Sequence, residues 1–173
     1  LGNRLAIEDS FSRYDYAYDE RNRVTDVDAR LTANVGVQAL AAIEAGDPDR
    51  LKPTLQHSLT YAYDDVGNVV GVTESSGATT LTQYDALNRP ISMQQSGGGA
   101  TEKAVDMAFN QIGQYESLTR YSDLGRNSLV ARTDYTYDAI NRLTDLDHTG
   151  ATDAVLAFYD FDYDSASRIT ALT

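Results

Sequence analysis

Acidic residues at alternate positions give this chain its first candidate chemistry, metal binding. Asp160, Asp162 and Asp164 are spaced like the opening of a calcium loop, whose alternate carboxylates face the ion. The glycine that lets such a loop turn is missing, with Ser165 in its place, and Ala171 stands where the loop needs its closing bidentate Glu. Strand alternation accounts for the same spacing without an ion, because Asp160 and Asp162 then face away from Tyr159, Phe161 and Tyr163. Asp26 with Asp28, and Asp145 with Asp147, read the same way. His57 and His148 are the only histidines, His57 just before an expected strand and His148 in an expected turn, and neither lies in a nucleophile motif or a metal-ligand pair. Nor does the sequence select one carboxylate pair for sugar cleavage. The reading is therefore no catalytic, cofactor-binding or metal-binding residue, and no cofactor.

The arginines are a second candidate. Arg23, Arg89, Arg142 and Arg168 each follow an aspartate, Asp19, Asp85, Asp138 and Asp164, at the same offset. They suit either a ladder for anions or a structural role, pairing with the turn carboxylate and stacking on a neighbouring tyrosine. Each arginine arrives with its own carboxylate and is neutralised locally, which favours the structural role. The tyrosines carry a similar choice: cross-strand pairs contributing about 0.2–1 kcal/mol each, or an aromatic surface for sugars and apolar peptides.

These residues belong to a recurring phrase. Tyr18-Asp19-Glu20-Arg21-Asn22-Arg23-Val24 returns as Tyr63-Asp64-Asp65-Val66-Gly67-Asn68-Val69 and as Tyr84-Asp85-Ala86-Leu87-Asn88-Arg89-Pro90. It returns again at Tyr137–Leu143 and Tyr163–Ile169, while Phe109-Asn110-Gln111-Ile112-Gly113-Gln114-Tyr115 is a worn copy. Ahead of each phrase, aromatic residues share one parity, as Tyr14, Tyr16 and Tyr18 do, or Tyr159, Phe161 and Tyr163, which is the period of a strand. The Asp can turn its carboxylate onto amides ahead of it, and Asn22, Gly67, Asn88, Gly113 or Asn141 tolerates positive φ, so the phrase predicts a type I turn closed by a left-handed residue. Ser167 is the weakest residue at that position. Breakers between phrases (Glu74–Gly77, Ser96–Gly99, Asp123–Arg126, His148–Gly150) mark turns at the opposite edge. The expected fold is all-β: an antiparallel hairpin meander, strongly twisted or curled, with about ten strands from Leu59 onward.

The chain reads as a single repeat segment over 1–173, with first repeats over 1–28, an insertion over 29–58 and a continuous meander over 59–173. Within the insertion, Asn34 as a cap, the alanine-rich run to Ala45 and Gly46 before Asp47-Pro48 predict a short helix. Leu1-Gly2-Asn3-Arg4-Leu5 matches the second half of the phrase, as if the chain were a piece of a longer array. Its 173 residues include 12 Tyr but no Trp or Cys, so no disulfide or thiolate site holds it together. A net charge of −12 argues against nucleic acid or an anionic membrane as partner. No apolar run reaches the roughly 18 residues of a membrane-crossing helix, so no membrane insertion is expected.

The pattern Tyr-x-Tyr-Asp followed by x-x-(Asn or Gly)-Arg-(Leu or Val) resembles the YD repeat of the Rhs family, which includes bacterial polymorphic toxins, shell components of insecticidal toxin complexes, and teneurins. The resemblance covers nearly all of the chain outside the insertion. It implies a β-strip that spirals into a hollow shell, enclosing a toxic carboxy-terminal domain or forming a rigid extracellular scaffold. For this chain it implies a non-enzymatic piece of wall, secreted or at the cell surface within a larger bacterial protein, with the rest of that protein and its cargo as partners. Family shells that cleave themselves carry Asp-Pro-x-Gly; Asp47-Pro48 is followed by Asp49-Arg50, so that activity is not carried over. The alternative is an extracellular adhesion module recognising a glycan or protein through its tyrosine face or inserted helix. A lone sheet also leaves one face and two edges open. Either the insertion packs onto the aromatic face, or copies self-associate through that face or the edges.

Overall fold

The computed structural model describes residue 3 and residues 5–8, 12–31 and 56–173. Every regular element among them is a strand: β1 (Ala6–Glu8), β2 (Ser12–Tyr18), β3 (Val24–Leu31), β4 (Gln56–Tyr63), β5 (Val69–Glu74), β6 (Ala78–Tyr84), β7 (Pro90–Gly97), β8 (Lys103–Phe109), β9 (Tyr115–Tyr121), β10 (Leu129–Tyr137), β11 (Leu143–Gly150), β12 (Val155–Tyr163) and β13 (Ile169–Leu172). They follow chain order in one 13-stranded sheet, the antiparallel meander that the alternation predicts. Tyrosines oppose aliphatic residues across the ladders, Tyr16 facing Val27, Tyr61 facing Val72 and Tyr135 facing Leu146.

Each phrase closes a hairpin in the same way. The Asp19 amide donates to the Arg23 carbonyl at 3.0 Å, and the Asn22 amide donates back to the Asp19 carbonyl at 3.0 Å. The pattern recurs from Asp64, Asp85, Asn110, Asp138 and Asp164. The fourth residue of each turn is left-handed, with φ of 61° at Asn22, 101° at Gly67, 60° at Asn88, 89° at Gly113, 66° at Asn141 and 61° at Ser167. That is a type I turn followed by a left-handed residue, the geometry expected from Asx chemistry and positive-φ tolerance.

Behind most of these turns the ladder contains a second irregularity that alternation does not announce. Ala17 pairs with Asp26 but Tyr18 pairs with Val24, so Thr25 has no residue opposite it. Val70, Glu116, Thr144 and Thr170 are bulged at the equivalent place. A bulge bends its strand and raises the local right-handed twist, so each such hairpin contributes its own increment of twist.

The chain divides into two compact units, 1–79 and 80–173. Small residues occupy the buried positions: Gly71 and Ala78 in the first, Ser92, Ala104, Ser117, Thr133 and Gly150 in the second. Ala104 is 1% exposed and Thr133 is 0% exposed, whereas Leu81, Met93, Val130, Val155 and Leu156 are exposed. The sheet is thus close-packed along small side chains, and it leaves larger apolar ones at its surfaces.

Two expectations need adjustment, and a third lies outside the described residues. Strand pairing runs into the predicted 29–58 insertion from both sides, because Ala29 pairs with His57 and Arg30 with Gln56; the alternation of Asp26–Leu31 simply continues. The helix expected over Asn34–Gly46 lies outside the described residues, as does any contact it makes with the aromatic face. His148 is a strand residue, paired with both Thr133 and Ala157, and the turn it was expected to occupy lies after Gly150, where Asp153 takes φ of 57°.

Candidate functional site

The repeated polar residues converge on the hairpin turns. In the first turn, one carboxylate oxygen of Asp19 accepts the amides of Arg21 at 2.8 Å and Arg23 at 3.0 Å, while the other accepts Arg23 Nε at 2.7 Å. Asp85 does the same with Leu87 and Arg89, Asp138 with Ile140 and Arg142, and Asp164 with Ala166 and Arg168. The two copies without the arginine keep the geometry with other atoms. Asp64 accepts the amides of Val66, Gly67 and Asn68, and Asn68 Nδ2 replaces the arginine at 2.9 Å. In the third-from-last turn, Asn110 Oδ1 caps the amides of Ile112 and Gln114, and Asn110 Nδ2 donates to Gln114 Oε1 at 3.1 Å, so the side-chain bond survives with its polarity reversed.

This capping sets the acidity of the turn carboxylates. The backbone amide of the arginine four residues on is the main cause that holds the Asp19, Asp85, Asp138 and Asp164 carboxyls below the ordinary value, with the guanidinium adding to it. At Asp64 burial pushes upward, but the Asn68 side chain and the amides of Asn68, Gly67 and Val66 together outweigh it, and that carboxyl is lowered too.

The same arginines reach the next hairpin. The guanidinium carbon of Arg23 lies 4.3 Å from the centroid of the Tyr63 ring, and its Nη1 donates to the Asp64 carbonyl at 3.3 Å. Tyr63 Oη answers by donating to the Val24 carbonyl at 2.6 Å. Arg142 repeats this on Tyr163 and Asp164, with Tyr163 Oη on the Leu143 carbonyl at 2.7 Å. Arg89 stacks on Phe109 at 4.5 Å; Phe109 has no hydroxyl to answer with, and Arg89 Nη1 is buried without a partner. A Cβ at Gly67 or Gly113 meets the arginine at 3.7 or 3.6 Å, ordinary contact, so positive φ rather than crowding calls for glycine there.

Other candidates take their places around these turns. Asp164 is a turn residue whose oxygens are bonded to Ala166 and Arg168, and Asp160 faces Asp145 across the ladder. Among the described residues no group of three His, Asp or Glu side chains is placed to hold a metal ion. His57 is exposed on β4. His148 Nδ1 lies 2.8 Å from Thr133 Oγ1, and its ring meets Tyr159 edge-on at 6.3 Å. Histidine and hydroxyl are in the contact of a base and a nucleophile, but Thr133 is fully buried and also accepts Arg120 Nη1 at 3.1 Å, which leaves no approach for a substrate carbonyl.

A further cluster went unread in the sequence. Arg126, left-handed at φ of 59°, reaches Asp106 with Nε at 2.6 Å and Nη2 at 2.8 Å, and Ser92 with Nη2 at 2.6 Å. The Arg126 side chain is the main cause that lowers the Asp106 carboxyl. The Asp123-Leu124-Gly125-Arg126 turn was legible as a breaker, but nothing in its spacing pointed to residues on β7 and β8.

Residues 63–101 match the family model of the RHS repeat. Among solved structures, the chain is similar to the TcdB2-TccC3-Cdc42 crystal structure (TM-score 0.74, 16% identity, over 99% of this chain and 8% of that one). It is also similar to TcdB2-TccC3 without its hypervariable C-terminal region (TM-score 0.72, 16% identity, over 97% and 8%). A third likeness is to the Photorhabdus luminescens Tc holotoxin pore (TM-score 0.51, 11% identity, over 99% and 9%). At these identities the likeness is one of fold, and the chain spans under a tenth of each of these three solved chains. No curated protein matches the sequence.

Proposed function

We propose that this Rhs/YD-repeat segment is a non-enzymatic section of a protein wall that encloses or scaffolds a toxin or other cargo. The observation that carries the reading is the use made of the repeated polar groups. Asp and Arg of the phrases at Asp19, Asp85, Asp138 and Asp164 are bonded to each other within the turn, and Tyr63 and Tyr163 are bonded to the preceding hairpin, so these repeated groups are directed into the sheet. A repeat whose chemistry is directed at its neighbour builds a continuous sheet, with stability summed from hairpins and nearest-neighbour contacts. The fold shared with stretches of TcdB2-TccC3 supports placing the segment inside a much larger bacterial protein, secreted or displayed at the cell surface. Its partners are then the rest of that protein and whatever it encloses.

The adhesion alternative draws less support, since Tyr63 and Tyr163 direct both ring and hydroxyl to the adjacent hairpin rather than outward. The test uses the full-length protein that contains this segment. Limited proteolysis of the intact protein is expected to spare polypeptide enclosed by the repeats, and that polypeptide is expected to become cleavable once the repeats are unfolded. Equal cleavage in both states, together with a saturable signal on a glycan array, would replace the wall with a binding module.

A further inference from the structure

A groove of about 240 Å³ in the second unit differs in character from the grooves at the hairpin turns. It lies over β8, β9 and β10, where Lys103, Ala104, Val105, Arg120, Tyr121 and Val130 form most of its wall, and its lining is almost wholly apolar. Lys103 and Arg120 line such a groove with their methylene stems. Val105 faces Arg120 and Ala104 faces Tyr121 across the β8–β9 ladder. On the other side Leu129 pairs with Tyr121 and Ala131 with Arg120, so Val130 is bulged out of the ladder, 48% exposed.

Charge is the second difference. Glu102, Lys103 and Arg120 border this groove, two cations against one carboxylate. The grooves between the Asp19 and Asp64 turns and between the Asn110 and Asp138 turns each carry an excess of two carboxylates. The cations here are also without a counter-charge. Arg120 Nη1 donates to the neutral Thr133 Oγ1 at 3.1 Å, and among the described residues neither Arg120 nor Lys103 forms an ion pair. By contrast, the turn arginines, Arg126 and Arg132 each hold a carboxylate. In a chain of net charge −12 this is a local reversal of sign, and it selects an occupant that is both apolar and acidic.

We propose that this groove binds a small organic acid, a monocarboxylate on one ring or branched aliphatic body. The body lies against Val105, Tyr121 and Val130, and the carboxylate stands at the rim beside Lys103 and Arg120. Size limits the body: about 240 Å³ is below the roughly 300–1,000 Å³ of sites for larger ligands and leaves room for one ring with a short tail. A peptide strand fits less well, because β8 and β9 are each paired on both sides and offer no free ladder to hold a main chain. The site goes beyond the wall reading and does not depend on it, since it lies within the second unit whether or not the sheet encloses cargo.

The test is an NMR titration of the 173-residue chain with hydrocinnamate, followed at the methyl groups of Ala104, Val105 and Val130 and at the Tyr121 ring. Saturable shifts confined to these groups are expected, with affinity about two- to five-fold weaker for the neutral hydrocinnamamide. Acetate, which has the charge without the body, is expected not to saturate. Lys103→Gln, an exposed change, should narrow the difference between acid and amide, and Val130→Asp, which puts a carboxylate into the wall, should abolish binding. Shifts that spread over the surface without saturating, equal affinity for acid and amide, an unchanged acid-to-amide ratio in Lys103→Gln, or undiminished binding by Val130→Asp would overturn the proposal. Tighter binding of a tripeptide ending in phenylalanine than of hydrocinnamate would overturn it as well, by assigning the groove to a polypeptide terminus.

Discussion

The guanidinium of Arg142 lies 4.4 Å from the centre of the Tyr163 ring while its Nε holds the Asp138 carboxylate at 2.6 Å. One side chain therefore fixes the shape of its own turn and fastens the next hairpin to it. Arg23 does the same between Asp19 and Tyr63.

Replacing Arg142 by Lys should test that double role. Lysine keeps the charge but cannot donate sideways to Asp138 while lying flat on Tyr163. A loss of roughly 0.5–1 kcal/mol is expected from the stack alone, read by chemical denaturation. Faster hydrogen exchange should appear at the two hairpins that Arg142 joins, β10–β11 and β12–β13. A variant as stable as the parent, with unchanged exchange there, would show that the stack contributes nothing.

Acid should weaken the turns together. The carboxyls of Asp19, Asp64, Asp85, Asp138 and Asp164 all sit below the ordinary aspartate value in the folded chain. For a depressed carboxyl the stabilisation is fully present above the unfolded value and is lost as pH falls through the folded one. Stability should therefore be insensitive to these groups near neutrality and decline as pH drops below about 4. Thermal unfolding across that range checks it. Changing Asp138 to Asn should flatten part of the decline, because one titrating group is removed while its cap geometry is kept, as Asn110 illustrates.

The left-handed position of the turns predicts two changes of opposite sign. Asn141 at φ of 66° tolerates the conformation through its short polar side chain, and Asn141→Ala should cost about 1 kcal/mol. Ser167 at φ of 61° is less suited, so Ser167→Gly should stabilise the last hairpin by roughly 0.5–1 kcal/mol. Hydrogen exchange at the flanking strands separates the two effects.

Strands and turns were legible in the sequence for a physical reason: period-two aromatics and an Asx cap followed by Asn or Gly are local signals, complete within a few residues. The bulges were not, because the unpaired residue is Thr, Val or Glu with no type in common, and it is defined by the partner strand. The Arg126 contact with Asp106 and Ser92 was hidden likewise, since it joins residues far apart in the chain. His148 was misplaced because Thr149-Gly150 reads as a breaker, yet Gly150 ends a strand and is buried against it. The arginine role was readable from its fixed offset to Asp.

Thr133 tests the buried bonds of the second unit. Its hydroxyl is the shared partner of Arg120 and His148 at a position with no exposed surface. Thr133→Val keeps the shape and removes the partner, which should cost about 1–3 kcal/mol. Thr133→Ser should recover most of it. Equal stability of the Val and Ser variants would mean that packing alone matters there.

Electron cryomicroscopy of the full-length protein containing this segment tests the wall account most directly. The account predicts that the sheet of β1–β13 continues into further Tyr-Asp hairpins and that the continuous strip encloses polypeptide density. A segment standing as a separate domain, with β1 and β13 unpaired and no enclosed chain, would contradict it.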